Sequence, residues 1–171
     1  KSEDAVTYPC DSPDQPGHDI IFNDGFPTSS KRGKFVPANI ISPDEMPDSE
    51  YPMVLTTGRQ LEHWHTGTMT RRALVLDDLE PEAVGCMSPN DLEIRGINPG
   101  DDIIVETRRG KIIVRARADS GVPSGVIFVP FAYAESPANM LTNPVLDPFG
   151  KIPEFKFCAA RVELAEMAAA E

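Results

Sequence analysis

Cysteine is scarce in this chain. Cys10, Cys86 and Cys158 are odd in number, far apart and never in a C-x-x-C pair. Neither a zinc site nor a disulfide framework is indicated, and a reducing cytoplasm is the expected setting. No apolar run approaches the roughly 20 residues of a membrane-spanning helix, so no membrane partner is expected. Basic residues are in deficit: 16 Lys and Arg against 27 Asp and Glu give a formal net charge of −11. That balance argues against a nucleic-acid backbone or an anionic membrane surface as partner. G-x-x-x-x-G-K-[ST] and G-x-G-x-x-G are both missing, which removes the P-loop and the nicotinamide dinucleotide fingerprint. There is no G-x-S-x-G, and no cysteine has a histidine nearby in sequence, so no partnered nucleophile is in view. Lys1-Ser2-Glu3-Asp4 shows neither an initiator Met nor an apolar secretory core, so a processed product or a piece of a longer chain is expected.

What is present suffices for one domain with a core, or one domain with an arm: 171 residues, 40% of them apolar. Residues 1–50 carry Pro9, Pro13, Pro16, Pro27, Pro37, Pro43 and Pro47. That density forbids long helices and predicts an extended arm. Asn23-Asp24-Gly25 predicts a turn, and Gly33–Val36 a short strand. Ile20, Ile21, Phe22, Phe26 and Phe35 predict that the arm packs on something larger than itself. Further on, Ser88 is an N-cap candidate, Pro89–Arg95 a short helix and Gly96 its left-handed cap. Asp102–Arg108 and Lys111–Ala118 alternate apolar and polar around Arg109-Gly110, which predicts a hairpin. Val126–Pro130 predicts a buried strand, Arg161–Leu164 a last strand, and 166–171 a frayed helical tail. The sum is a mainly β chain with short helices, closed as a barrel over residues 51–165.

The chemistry concentrates in Tyr51–Arg72, YPMVLTTGRQLEHWHTGTMTRR. An apolar strand through Leu55 stops at Thr56-Thr57-Gly58-Arg59. From Thr56 on, the segment holds hydroxyls, imidazoles, the single Trp, two glycines and three arginines in total. Glycine lets backbone N–H groups approach phosphate, and hydroxyl and guanidinium add donors. On a strand His63 and His65 would share a face and could hold zinc, but no third ligand follows at a usual spacing. Hydrogen bonding to a ligand or to backbone is the commoner fate. Trp64 is either core or a flat stacking surface. Thr66–Thr70 is a polar loop that gains interest from Arg59, Arg71 and Arg72 nearby. After the strand at 126–130, Phe131 could stack on a heterocycle and Asn139 could read its edge or cap a turn. Lys156, between Phe155 and Phe157, is a snorkelling lysine or an ammonium for an anionic ligand.

TTGRQLEHWHTGTMTRR resembles the signature of the C-terminal cofactor domain of the bis-molybdopterin guanine dinucleotide oxidoreductases. That superfamily includes formate dehydrogenases, periplasmic and assimilatory nitrate reductases and dimethyl sulfoxide reductase relatives. Tyr8-Pro9-Cys10, Pro16-Gly17 and Asp24-Gly25-Phe26-Pro27 resemble the segment leading into this domain, and MSPNDLEIRGINPGDDIIVETRRGKI its helix-then-hairpin core. NMLTNPVLDPFGKIPEFKFCAARV resembles the formate dehydrogenase alpha subunit more than the nitrate reductases. The resemblance implies a double-psi β-barrel after the arm. It implies that Thr57, Gly58, Arg59, Gln60, Leu61, Glu62, His63, Trp64, His65 and Thr66 contact the cofactor, joined by Phe131, Asn139 and Lys156. The implied cofactor carries molybdenum or tungsten. The metal ligand, the catalytic His and Arg and the iron–sulfur motif of the family lie upstream, and none is in this sequence. The chain alone is therefore expected to be inactive, with the rest of the alpha subunit and electron-transfer subunits as partners. The rivals are the same domain of a nitrate reductase and a stand-alone barrel serving as an interaction module.

Overall fold

The alternation of apolar and polar residues along the predicted strands is what the barrel is built from. In a computed structural model describing residues 7–12 and 14–165, the strands are β1 (Met53–Gly58), β2 (Val84–Met87), β3 (Asp102–Thr107), β4 (Gly110–Ala118), β5 (Val126–Pro130) and β6 (Cys158–Leu164). They close in the order β1-β5-β2-β4-β3-β6. β1 runs parallel to β5 and β2 parallel to β4, and every other neighbouring pair is antiparallel. Advancing each strand by three in chain order maps this ring onto itself, exchanging the two parallel pairs. That internal two-fold relation, with two parallel crossings, is the double-psi barrel.

Inward positions follow the period of two. Met53 and Leu55 on β1, Ile103 and Val105 on β3, Ile112, Val114 and Ala116 on β4, and Ile127 and Val129 on β5 form one core. β2 is buried at all four positions. Its Gly85 is the filler where the barrel narrows: a Cβ there would lie 2.9 Å from Val114 and 3.1 Å from Ile103 and Ile127.

The short helix is α2 (Pro89–Ile94); α1 is Leu74–Leu79. Ser88 caps α2 as expected, its Oγ accepting from the Asp91 N–H at 3.1 Å, and Gly96 takes the left-handed conformation at φ 65°. Arg95 is the C-cap rather than the last helical residue. The hairpin pairs as predicted, Ile104 opposite Ile113, but its last pair is Thr107–Gly110. The turn is therefore Arg108-Arg109, one residue earlier than expected. β6 begins at Cys158 rather than Arg161 because Cys158, Ala159 and Ala160 pair with β1 and are wholly buried. α1 and β2 had no usable sequence signal. α1 exposes Leu74, Val75 and Leu79, and β2 does not alternate.

The chain divides into two compact units, Lys1–Ile41 and Ser42–Glu171. The described part of the first has turns and no helix or strand. Asn23-Asp24-Gly25 does turn, with the Gly25 N–H donating to Phe22 O at 3.0 Å. Gly33–Val36 pairs with no strand, so the strand expected there does not form. Phe22 and Phe26 stack at 5.0 Å, while Ile20, Ile21 and Phe35 are exposed. The expected tail at 166–171 lies outside the described residues.

Candidate functional site

The strand directions decide where the candidate residues meet. β1, β3 and β5 run one way, β2, β4 and β6 the other. One rim of the barrel therefore collects the segment after Gly58, the Arg108-Arg109 turn, the segment after Pro130 and the residues before Cys158. The loop at 59–66, Phe131, Asn139 and Lys156 all leave from this rim although nearly a hundred residues separate them. The contacts agree. Lys156 Nζ donates to Thr57 O at 2.9 Å, and the Phe131 N–H donates to Gly58 O at 3.2 Å. Asn139, in a 3-10 turn, stands farther round. Its neighbour Met140 has its carbonyl 3.3 Å from where a Cβ on Gly110 would sit, and β4 is diametrically opposite β1 in the ring.

The predicted contact residues differ in what they offer. The Thr57 side chain is buried and its hydroxyl donates to Phe155 O at 2.8 Å. What a side chain at Gly58 would meet is the protein itself: a Cβ would lie 2.5 Å from the Phe128 ring, which would have to shift. Residues 61–67 form turns rather than a strand, so His63 and His65 do not share a face. His63 is 1% exposed. Its Nε2 lies 2.8 Å from the Glu80 carbonyl, which can only accept, so Nε2 carries the proton. Nδ1, 3.3 Å away, takes the Thr70 hydroxyl, and Thr70 Oγ1 in turn accepts the Trp64 N–H at 3.0 Å. His65, at φ 50°, faces outward with Trp64, their rings edge to face at 4.6 Å. Trp64 is 58% exposed, which answers the choice between core and surface, and Leu61 is 96% exposed. Arg59 lies 5.8 Å over the Trp64 ring. Thr66 and Thr68 share a hydroxyl contact at 3.1 Å. Glu62 is half-buried. Gln60 Oε1 at 3.1 Å and the Glu80 carbonyl at 3.0 Å share the one Tyr133 hydroxyl proton. Burial pushes the Tyr133 phenol up to about 12, so it remains a donor throughout the neutral range.

An open cleft of about 270 Å³ runs beside this loop, lined by Thr66, Gly67, Thr68 and Arg72 on one side and Ala132 and Glu135 on the other. Gly67, at φ 73°, cannot be replaced without strain; a Cβ would also lie 2.7 Å from Ala132 O. Arg71 is committed: it pairs with Asp77 at 2.6 Å and Glu135 at 2.9 Å, and covers the Tyr133 ring at 4.6 Å. Arg95, Arg108, Arg109, Arg115, Arg117 and Arg161 are ion-paired as well. Among the described residues of Ser42–Glu171, Arg59 and Arg72 are the arginines with no carboxylate partner. Both lie on the loop after β1. Unpaired guanidinium, clustered hydroxyls, exposed backbone and an exposed indole suit a polyanion with a flat ring. Among the described residues no three His, Cys, Asp or Glu side chains gather as metal ligands.

Sequence reading named Arg71, Arg72 and Thr66–Thr70 as neighbours but missed the Glu80 carbonyl and Tyr133. A backbone carbonyl has no residue-type signal, and Tyr133 differs in sequence from any other tyrosine only by its place after β5.

The family model described as Molydopterin dinucleotide binding domain matches residues 53–159. The F420-dependent formate dehydrogenase 1 subunit alpha of Methanococcus maripaludis is 44% identical over 94% of this chain and 24% of its own length. The F420-dependent formate dehydrogenase subunit alpha of Methanocaldococcus jannaschii is 41% identical over the same shares. The chain thus spans about a quarter of the length of the curated relatives it matches. Among solved structures, acetylene hydratase from Pelobacter acetylenicus matches with a TM-score of 0.62 and 23% identity over 68% of this chain and 19% of that one, a likeness of fold. With the family model covering all six strands' span up to Ala159, the chain belongs to the molybdopterin dinucleotide-binding domain family.

Proposed function

We propose that the rim after β1 and β5 holds a molybdopterin guanine dinucleotide cofactor as part of a formate dehydrogenase alpha subunit. The observation that carries this reading is the pair of unpaired arginines, Arg59 and Arg72, in a protein of net charge −11 whose other barrel arginines are all neutralised. Leaving two guanidiniums without carboxylates in so acidic a chain marks a place for external phosphate. The backbone of 58–66, with Arg59, Trp64, His65 and Thr66, faces the ligand. Lys156 and Phe131 close the near side, and Asn139 meets it from across the rim. Gln60, Leu61 and Glu62 border the same path, and His63 and Thr57 act from beneath it.

When bound, the cofactor and its molybdenum or tungsten supply the redox chemistry. This chain's residues neutralise phosphate, stack on a ring and exclude water. Formate is favoured as the parent substrate by the two alpha subunits above 40% identity. Their names also make coenzyme F420 the acceptor to test first. Electron-transfer subunits and the rest of the alpha subunit would be the partners, in the cytoplasm. Among the described residues no helix is long and apolar enough to cross a membrane.

The test uses the full-length subunit: acid extraction, mass identification of the released nucleotide, metal analysis, and formate oxidation with F420. A guanine dinucleotide with molybdenum or tungsten is expected. A purified, folded subunit holding no pterin nucleotide overturns the reading. A subunit that holds it and reduces nitrate but does not oxidise formate moves the assignment to the nitrate reductase branch.

A further inference from the structure

We propose that the Glu80 carbonyl is the anchor that orders the ligand loop, with His63 and Tyr133 as positioning residues acting through it. Glu80 follows α1 and is fastened to the barrel wall by its side chain, which accepts from Arg117 of β4 at 2.8 and 3.1 Å. Its backbone carbonyl, so placed, accepts from two directions: His63 Nε2 at 2.8 Å and Tyr133 OH at 3.0 Å. Each donor leads back to the loop. From His63 the chain of bonds runs through Thr70 Oγ1 to the Trp64 N–H. The Tyr133 hydroxyl, sharing its proton, also meets Gln60 Oε1 at 3.1 Å. The His63 and Tyr133 rings pack edge to face at 5.6 Å, and Arg71 covers Tyr133. The loop's own backbone bonds are few and local: Gly67 N–H to Trp64 O and Arg71 N–H to Gly67 O, both at 2.9 Å, then Arg72 N–H to Met69 O at 3.1 Å and Ala73 N–H to Thr70 O at 3.0 Å. Without the anchor the stretch from Arg59 to Trp64 would be left to these local turns, with only the far end of the segment still tied, by the Arg71 pairs with Asp77 and Glu135. A loop ordered in advance does not lose that entropy on binding.

His63 is therefore assigned a positioning role rather than contact with the ligand, and this rests on the functional reading above. The roles separate by experiment. Amide hydrogen exchange is measured on this chain for His63→Leu, His63→Gln, Thr70→Val and Tyr133→Phe. His63→Leu is expected to speed exchange at Trp64, Gly67 and Arg71 about tenfold, the equivalent of one hydrogen bond of about 1.4 kcal/mol. Amides of β1 and β3 keep their rates. His63→Gln, whose amide can still donate to Glu80 O, recovers most of the protection. Thr70→Val removes one hydroxyl without emptying the interior, so it tests the relay even if His63→Leu does not fold. Unchanged loop exchange in Thr70→Val and Tyr133→Phe overturns the proposal. So does acceleration spread evenly through the barrel, which is what a purely structural histidine predicts. In the full-length subunit, retention of guanine dinucleotide on gel filtration should fall with loop protection. A wild-type subunit without the dinucleotide sinks the functional reading, and the exchange result still decides the anchor. A Thr70→Val subunit with a loosened loop and full retention overturns the link between loop order and binding.

Discussion

Two pairs of arginines stand on the same rim of the barrel and meet opposite fates. Arg108 and Arg109 form the β3–β4 turn, and each is neutralised. Glu45 takes Arg109 with both carboxylate oxygens and accepts the Ala159 N–H at 2.8 Å. Asp48 takes Arg108, which also covers Tyr51 at 4.5 Å. Arg109 Nε and the Thr107 hydroxyl both donate to Leu141 O, at 3.1 and 2.9 Å. This side is a fastening. Arg59 and Arg72, after β1, have no carboxylate, and the loop between them is fixed by an imidazole, a phenol and a carbonyl and by the ion pairs of Arg71 alone. The difference teaches that residue type does not identify an anion site. What identifies it is positive charge that the fold declines to neutralise while still holding the backbone in place.

The comparison breaks most directly on the unpaired side. Arg59→Met with Arg72→Met should cut dinucleotide retention by the full-length subunit at least a hundredfold. Each charge-assisted hydrogen bond contributes about 1.5–3 kcal/mol, roughly ten- to hundredfold apiece. Urea midpoints should stay within about 0.5 kcal/mol of wild type, because neither arginine has a partner to orphan. Retention equal to wild type would place the anion elsewhere.

On the fastened side the signs reverse. Glu45→Gln should lower the unfolding free energy by about 2–3 kcal/mol, since it leaves the half-buried Arg109 guanidinium without its carboxylate while Arg108 keeps Asp48. Dinucleotide retention should change little. The pairing with Arg109 holds the Glu45 carboxyl below its ordinary 4.5. A depressed carboxylate stabilises the fold fully above that ordinary value and loses the contribution as pH falls through the lowered one. Urea unfolding of wild type should weaken below pH 4.5, and Glu45→Gln should show a shallower fall. Parallel curves would leave Glu45 without the linkage assigned to it.

Gly58→Val sharpens the point. The sequence suggests a glycine kept small for ligand phosphate, yet the Cβ meets Phe128 at 2.5 Å. The variant should lose about 1–3 kcal/mol by overpacking, visible in this chain with no ligand. A Phe128→Leu background should recover part of it.

Lys156→Met carries the smallest effect. Its ammonium donates to Thr57 O at 2.9 Å and is exposed, so stability should move by no more than about 1 kcal/mol. Dinucleotide retention separates its two readings: a fall of tenfold or more marks an ammonium on the ligand, and none marks a brace for the end of β1.

Local chemistry made much of this legible in advance. Ser88, Pro89 and Gly96 bound their helix through capping geometry that needs no distant partner. The 102–118 hairpin follows from a period of two around a tight turn, and an apolar strand ending in Gly58-Arg59 marks the loop with the free cations. The elements that stayed hidden depend on what surrounds them. β2 is four buried residues around a glycine, sensible only once Ile103, Val114 and Ile127 close over it. Cys158–Ala160 are small and apolar, and become strand only by pairing with β1.

The order of residue types by itself determined that a cationic, hydroxyl-rich loop follows an apolar strand, and that this loop belongs with a dinucleotide-binding signature. The tertiary structure alone decided which of its members face out. Barrel closure turned His63 inward to Glu80 and left Trp64 outside, one residue apart, because burial and hydrogen-bond satisfaction are set by distant chain: Tyr133, Glu80 and, behind them, Arg117. It also decided which arginines were spent on carboxylates, since Glu45 and Asp48 reach Arg109 and Arg108 from some sixty residues away. Charge is written in the sequence, but its neutralisation is a matter of distance, and distance exists only in the fold.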